Sequence, residues 1–200
     1  MTRRLFILAA VAVLLALPLR AETATWVIDG AHSSAGFSVR HMMVSKVRGS
    51  FDKVSGTVTG DLSNPASAQV DVTIDASSIN TGNAKRDDHL RSADFFEIEK
   101  YPAITFKSKR IEKGGDGYRM TGDLTMHGVT KEVVLLVDAP ATPIRVGQAW
   151  RTGASATTRV NRKDFGLTWN RALEAGGVTV GDDVEIFIDV ELIRKDEAAE

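Results

Sequence analysis

The sequence predicts an all-β domain preceded by a secretory signal peptide. Two features predict the domain: apolar and polar residues alternate along several segments, and short clusters of glycine, proline, asparagine and aspartate separate those segments. Alternation with a period of two places the apolar side chains of a strand on one face. Segments of this kind joined by short turns are typical of an antiparallel sandwich or barrel, here of about eight strands.

The clearest alternation lies in residues 68–76 and 183–192. In the first segment the apolar positions are Ala68, Val70, Val72, Ile74 and Ala76. In the second segment they are Val184, Ile186, Ile188, Val190 and Leu192. The positions between them are mostly polar, so each strand is expected to have one apolar side and one side that faces solvent.

Two segments interrupt the strand pattern. Residues 83–97 are rich in charged side chains, and Leu90 is spaced for the apolar side of a short amphipathic helix. A helical turn is predicted at residues 161–165, where Asn161 is a suitable N-cap. The aromatic residues expected to close one end of the domain are Phe95, Phe96 and Trp169.

The N-terminus has the three parts of a secretory signal peptide. Two arginines precede an apolar run over residues 5–19, and Ala21 provides a small residue for cleavage. The apolar run is shorter than the roughly 20 residues that span a bilayer as a helix. We therefore predict export to the periplasm, removal of residues 1–21, and a domain of residues 22–200 without stable membrane insertion.

Charge and cysteine content exclude several classes of protein. Loss of residues 1–21 removes three arginines and no acidic residue, which moves the net charge from −1 to −4. A mildly acidic domain lacks the cationic surface that nucleic-acid binding requires. Because the sequence contains no cysteine, it has no disulfide, no thiolate metal site and no lipoprotein anchor.

The alternation alone does not decide between a flat sandwich and a closed barrel. Both architectures cover one face of every strand, and a barrel of about eight strands is either just filled or holds one ligand. Small side chains on the inner face leave volume unfilled, which slightly favours a cavity. The small residues expected on that face are Ala68, Ala76, Gly122, Ala154 and Ala156.

Several ordered sequence blocks resemble one known family. The most specific is RDDHLRS at residues 86–92, followed by DFF at 94–96 and YPAITF at 101–106. The others are residues 28–29, 32–33, 37–41, 49–51, 56, 122–131, 162–166 and 180–184. At this spacing the chain resembles the YceI-like family of lipid-binding proteins over residues 25–194.

The resemblance implies a fold and a ligand. It implies a lipocalin-like, eight-stranded antiparallel β-barrel with one or two short helices and a hydrophobic pore. The expected ligand is a polyisoprenoid or a similar long-chain apolar lipid, held for transport or sequestration. The alternative is a periplasmic interaction module of a membrane quinone or cytochrome system in which the lipid is structural. Whether the barrel forms a homodimer stays open.

The alternation and the resemblance together suggest which residues form the pore. For each of them, plain packing in the core is the competing interpretation. The predicted pore residues are Phe37, Val39, Val70, Val72, Ile74, Ile104, Phe106, Met120, Leu124, Met126, Val133, Leu135, Ile186 and Ile188. Cations at the mouth would bind a polar or anionic head group. The candidates for that role are Arg40, His41, Arg91 and Arg171.

The sequence gives no support for catalysis, for a metal site or for a cofactor. His32, His41, His89 and His127 are far apart and show no pairing at the spacing of metal ligands. Neither a Gly-x-Ser-x-Gly nucleophile motif nor a cysteine nucleophile is present. We expect a binding protein without catalytic residues.

Overall fold

The computed structural model describes residues 23–174 and 176–195, which form twelve strands, one α-helix and three 3₁₀ turns. The strands are β1 Ala24–Ile28, β2 Ser34–His41, β3 Ser45–Phe51, β4 Val54–Gly60, β5 Gln69–Asp75, β6 Ile79–Asn80, β7 Ala103–Gly114, β8 Gly117–Met126, β9 Val129–Val137, β10 Ile144–Val146, β11 Ala149–Asn161 and β12 Val180–Arg194. The helix α1 is Ala84–Arg91, and the 3₁₀ turns are Pro65–Ser67, Ala76–Ser78 and Arg162–Phe165. The predicted signal peptide, residues 1–21, lies outside the described residues.

Eight of the strands form a closed antiparallel ring. Their order is β11, β9, β8, β7, β5, β4, β1 and β12, and β12 pairs back onto β11. Closure removes both free edges from the ring, which an open sandwich would retain. The predicted eight-stranded antiparallel barrel is therefore confirmed, and the sandwich is excluded.

The hairpin of β2 and β3 extends the wall beyond the ring. One side of β12 pairs with β11 over eleven residue pairs. On its other side, β12 pairs with β1 near the C-terminus of β12 and with β2 over residues 180–189 of β12. β3 follows β2 and pairs with the short strand β6. The barrel wall thus gains β2, β3 and the short β6 at the end where β12 begins.

The helical segments lie where the sequence predicts them and begin at the expected caps. The Asn83 side chain accepts a hydrogen bond of 3.0 Å from the backbone N–H of Arg86, which starts α1. The Asn161 side chain accepts one of 2.9 Å from Lys163 N at the start of the 3₁₀ turn. α1 ends at Arg91, earlier than the predicted segment 83–97, and turns follow it.

Two buried apolar clusters occupy the two ends of the barrel. One lies beside α1 and the turn Arg162–Phe165, at what we call the helical end; it consists of Phe51, Ala76, Ile79, Ile104, Met126, Val160, Phe165 and Leu167. The other lies toward β10, at what we call the β10 end; it consists of Trp26, Ile28, Ala35, Val54, Val58, Ala68, Ile111 and Leu192. Among the described residues, no helix has the length and hydrophobicity required to span a bilayer.

Candidate ligand-binding cavity

The space between the two clusters is a cavity of about 270 Å³ that runs along the barrel. It is lined by side chains from all eight ring strands and from β2, and β1 contributes only through its C-terminal half. All fourteen residues predicted for the pore contribute to its wall. That these residues contact a ligand stays a prediction, because the cavity shows only where their side chains point.

The inward-facing residues divide into two groups by burial. Ile104, Phe106, Met126 and Leu135 are buried while also touching the cavity, and Ile104 and Met126 pack in the cluster at the helical end. The other ten predicted pore residues are only half-buried, although they too face the interior. A side chain that points into a barrel and still keeps accessible surface borders open space, so these ten form the wall of a chamber.

An apolar chamber of this size has an energetic consequence. It exceeds by more than an order of magnitude the roughly 10–15 Å³ that one water molecule needs, but an apolar wall offers water no hydrogen-bond partners. At roughly 24 cal/mol per Å³, an empty apolar cavity of this volume costs several kcal/mol of stability. An apolar molecule that filled the chamber would recover this free energy and gain burial of its own surface.

Residues outside the strands, which the alternation did not reveal, complete the wall. Leu62, Pro65 and Pro140 line the β10 end, and Leu90, Phe95, Phe96 and Leu167 line the helical end. Phe95 packs against Trp169 with ring centroids 5.2 Å apart. The predicted aromatic plug is therefore present, and two of its three rings also face the cavity. These residues have no strand periodicity, so sequence reasoning singled out only Leu90, on its predicted helix, and the aromatic residues.

Arg162 is the only charged side chain among the described residues that lines the cavity. It is 3% exposed. Its Nε donates to Gly181 O at 2.9 Å, one Nη donates to Leu167 O, and the other lies 3.5 Å from an Asp182 carboxylate oxygen. Desolvation lowers the pKa of Arg162, and Asp182 partly offsets this. Because protein oxygens already accept from this guanidinium, it closes the helical end and is not a free anion site.

None of the four predicted head-group residues lines the cavity. Arg91 donates from Nε to Ser77 O and from Nη2 to Ile79 O, each at 2.8 Å, and so holds α1 to the wall. Arg40 and Arg171 are exposed, and His41 is half-buried at the end of β2. A head-group role for the last three stays a prediction, and it would apply outside the chamber.

One histidine lies in a cluster with potential metal ligands. Single ligand atoms of Asp29, His32 and Glu191 lie within 4.8 Å of one another. The Arg151 guanidinium donates to Asp29 at 3.0 Å and also to Glu191. Hydrogen bonds from His32 and Arg151 lower the pKa of Asp29 to about 2, and Asp29 raises the pKa of His32. Since the Arg151 guanidinium already bonds to both carboxylates, the cluster is an ion-pair network that joins the connection between β1 and β2 to β11 and β12.

His127 holds a loop against the helical end. Its Nδ1 lies 3.1 Å from Phe165 O, and because a carbonyl only accepts, this nitrogen is the donor. Its Nε2 lies 3.5 Å from the Glu97 carboxylate, and its ring packs edge-on against Tyr101 with centroids 4.8 Å apart. His127 thus connects the turn after β8 to the segment that follows α1, away from the cavity wall.

Comparison with known proteins identifies the family. A family model described as the YceI-like domain matches residues 26–192. The chain belongs to the YceI-like family. Two relatives from Staphylococcus aureus, UPF0312 protein SA2479 of strain N315 and UPF0312 protein SAV2687 of strain Mu50, are each 41% identical over 160 residues. That alignment spans 78% of this chain and 90% of either relative.

Three solved structures share the barrel fold of this chain. BcnA of Burkholderia cenocepacia superposes with a TM-score of 0.69 at 25% identity, over 82% of this chain and 98% of that chain. The YceI protein of Campylobacter jejuni gives 0.66 at 32% identity, over 79% and 90%. A structure from Saccharophagus degradans, described as a polyisoprenoid binding domain implicated in plant cell wall breakdown, gives 0.62 at 17% identity, over 87% and 100%. At that identity the last likeness concerns the fold alone.

Proposed function

We propose that this YceI-like protein binds a polyisoprenoid or similar long-chain apolar lipid in its barrel, as a carrier or to sequester it. One observation carries the proposal: the cavity extends from Leu62 at the β10 end to Phe96 at the helical end, and its wall consists mainly of apolar side chains, with Arg162, which already donates to backbone carbonyls, as the one charged side chain among the described residues. A long narrow chamber of this kind matches an extended hydrocarbon chain, which binds through buried apolar area.

Two further observations support the ligand class. Met120 and Met126 contribute flexible thioether side chains to the wall, which adapt to a ligand with several conformations. The Saccharophagus degradans protein that shares this fold is described as a polyisoprenoid binding domain. An isoprenoid chain is apolar along its length, as the chamber requires.

The proposed location is the periplasm. It rests on the two arginines, the apolar run over residues 5–19 and the small Ala21, which together have the pattern of a secretory signal peptide. A lipid that moves through an aqueous compartment needs a protein that shields it from water, and a closed barrel provides that shielding.

We further propose that the protein binds its ligand without converting it. Catalysis requires a nucleophile or an acid–base group within reach of the reacting atoms. None of the four histidines lines the cavity, and Arg162, which does, is bonded to backbone carbonyls. The hydroxyl groups in the wall belong to Thr105, Tyr118, Ser155 and Thr158, and among the described residues no histidine lines the wall beside them to act as a base.

Native mass spectrometry of the purified protein, followed by organic extraction, tests the proposal. We expect a stoichiometric mass increment that corresponds to a long-chain lipid in the extract. Delipidated protein should recover the increment when a long-chain polyprenol is added. An empty barrel that also takes up no added polyprenol would overturn the proposal.

A matched pair of variants locates the ligand in the chamber. Ala156 faces the cavity in the middle of β11, and its neighbour Thr157 faces solvent. Ala156→Phe should fill the chamber and abolish the mass increment, while the barrel keeps its circular dichroism spectrum. Thr157→Phe adds the same ring on the outer face and should leave lipid binding unchanged. Equal lipid content in both variants would place the ligand outside the barrel.

A further inference from the structure

The tip of the β2–β3 hairpin exposes three consecutive apolar side chains. Met42 and Met43 are exposed, the latter at 56%, and Val44 is 80% exposed. Exposed apolar groups that adjoin one another on a water-soluble domain mark a surface that meets an apolar partner. The tip projects at the helical end, where His41 pairs with Val180 at the start of β12.

The turn that carries these residues is unfavourable for its sequence. Met42 and Met43 have φ angles of 49° and 60°, and Val44 N donates to His41 O at 3.1 Å. Two central residues with positive φ form the hairpin turn in which Asn-Gly is strongly preferred, because L side chains are strained there. Two methionines at these positions lower stability and expose apolar surface. The stability of the fold therefore does not explain why methionines occupy this turn.

The strands beneath the tip are cationic. Residues 34–51 contain Arg40, Lys46 and Arg48 and no acidic residue, although the protein as a whole has a net charge of −1. Arg40 lies directly opposite Lys46 across the hairpin, an arrangement of like charges that destabilises a strand pair. Lys46 pairs with Glu185 at 2.7 Å. Within residues 23–174 and 176–195, the side chains of Arg40 and Arg48 have no hydrogen bond or ion pair.

The adjoining loop supports the tip and adds another cation. Met42 N donates to Thr179 O at 2.8 Å, and Thr179 N donates to Arg171 O at 2.9 Å. Arg171 is exposed and, in the part of the chain that the structure describes, its guanidinium has no partner. The tip is thus an apolar point with three arginines nearby that are unpaired within the described residues, Arg40, Arg48 and Arg171, the pattern of segments that insert at the surface of an anionic bilayer.

The cavity reaches the base of the same hairpin. Val39, at the end of β2, and Val180, which pairs with His41, both line the chamber. We propose that the tip, Met42 to Val44, inserts into the surface of an anionic lipid bilayer and brings the helical end of the barrel to the membrane. This docking role goes beyond the proposed lipid binding and does not require that the chamber hold an isoprenoid.

Fluorescence of a labelled tip tests the proposal. Because the sequence contains no cysteine, Val44→Cys creates a single site for an environment-sensitive fluorophore. On vesicles of phosphatidylcholine and phosphatidylglycerol, the label should shift to the blue, and high salt or omission of phosphatidylglycerol should abolish the shift. Val146→Cys is the matched control, because Val146 is also exposed, at 51%, and lies at the β10 end. A blue shift at the control site, or none at the tip, would overturn the proposal.

Charge and apolar contributions are separated by two sets of variants. Lys46→Gln combined with Arg48→Gln should weaken partitioning onto the anionic vesicles by roughly 30-fold. Met43→Ser combined with Val44→Ser should abolish the insertion signal of a label placed at Met42→Cys. Both sets should retain the lipid increment in native mass spectra, since none of these side chains lines the chamber. Wild-type protein that binds the vesicles but carries no lipid increment would refute the lipid-binding proposal and leave docking standing, whereas unchanged vesicle binding in both sets of variants would refute docking.

Discussion

Arg162 donates a hydrogen bond of 2.9 Å from its Nε to the backbone carbonyl of Gly181, which connects the turn after β11 to the start of β12. The same guanidinium donates to Leu167 O. An arginine is rarely buried unless its donors are satisfied. Here it satisfies the carbonyls of irregular chain at the helical end, where no neighbouring strand could do so.

Replacing Arg162 with methionine should therefore destabilise the barrel. Arg162→Met keeps much of the side-chain volume but leaves the carbonyls of Gly181 and Leu167 without their donor. Each unsatisfied buried acceptor costs about 1–3 kcal/mol, so we expect a loss of at least about 2 kcal/mol in urea unfolding. Arg159→Met is the control, because the Arg159 side chain is 61% exposed and its pair with Glu185 should contribute less than about 1 kcal/mol. Equal losses in the two variants would contradict this account.

Gly128 is required both by its backbone conformation and by its neighbour. Its φ is 73°, and a Cβ at this position would lie 2.4 Å from a ring carbon of Tyr101. Gly128→Ala should lower stability by about 3 kcal/mol, because the Tyr101 ring must move and because alanine is strained at this positive φ. Gly115→Ala is the matched control: its φ is 60°, but no atom lies within 4 Å of the added Cβ. That variant should cost about 1 kcal/mol, and thermal unfolding of both checks the difference.

The ion-pair network around Asp29 should make stability depend on pH in a defined window. The pKa of Asp29 is lowered to about 2, so its contribution is present above about pH 4, its unfolded value, and is lost as the pH falls toward 2. The pKa of His32 is raised, so its contribution is complete below about pH 6.5 and is lost as the pH rises through the folded value. The network therefore stabilises the fold most between about pH 4 and about pH 6.5.

Comparison of His32→Ala with the wild type tests this window. The difference in unfolding free energy should be largest near pH 5.5 and should vanish toward pH 9, where the wild-type imidazole is neutral in both states. In an Asp29→Asn background, His32→Ala should have little effect on the unfolding free energy at either pH. In the Asp29→Asn variant that retains His32, NMR titration should show that the pKa of His32 has moved back toward its ordinary value. A difference that is independent of pH would show that His32 acts through packing.

The faces of the strands could be predicted from the sequence because one physical rule governs them. Val72 and Ile186 sit in strict alternation, and both line the cavity. Closure of the barrel leaves no comparable signal in the sequence, since β9 and β11 pair through only two residue pairs, Ala156 with Val137 and Thr157 with Leu136. Such a long-range contact between two ordinary amphipathic strands does not alter the pattern of either one. The resemblance to a family, rather than the alternation, predicted the barrel.

Sequence reasoning missed some site residues for two physical reasons. Leu62, Pro65 and Leu167 lie in connections, where the chain direction changes with every residue and no period relates a side chain to the interior. Arg162 was missed because a charged residue in a turn is normally solvated, and only the packed structure shows which carbonyls surround it. Of the four predicted head-group residues, Arg40 and His41 were chosen because they end a strand, and Arg91 and Arg171 because they lie on connections that could close the mouth; none of the four lines the chamber.

The last prediction separates a binding protein from an enzyme at His89, the histidine in the most polar part of the sequence. Its Nε2 lies 2.8 Å from an Asp94 carboxylate oxygen, and its ring packs edge-on against Phe95 and Trp169. A histidine paired with a carboxylate has the form of a general base. However, both rings that flank it belong to the plug, and His89 does not line the cavity, so its role is to hold the plug in place.

His89→Ala should therefore lower stability by about 1 kcal/mol, the scale of one hydrogen bond, and should accelerate loss of the bound lipid. His89→Asn, which retains a donor toward Asp94, should restore part of both properties, whereas a general base would not be rescued in this way. The measurements are the thermal midpoint and the lipid retained after dialysis, with a parallel assay of the wild type for conversion of its extracted lipid. If the wild type converts the lipid, and His89→Ala loses that activity with an unchanged midpoint, the protein is an enzyme and the binding assignment is wrong.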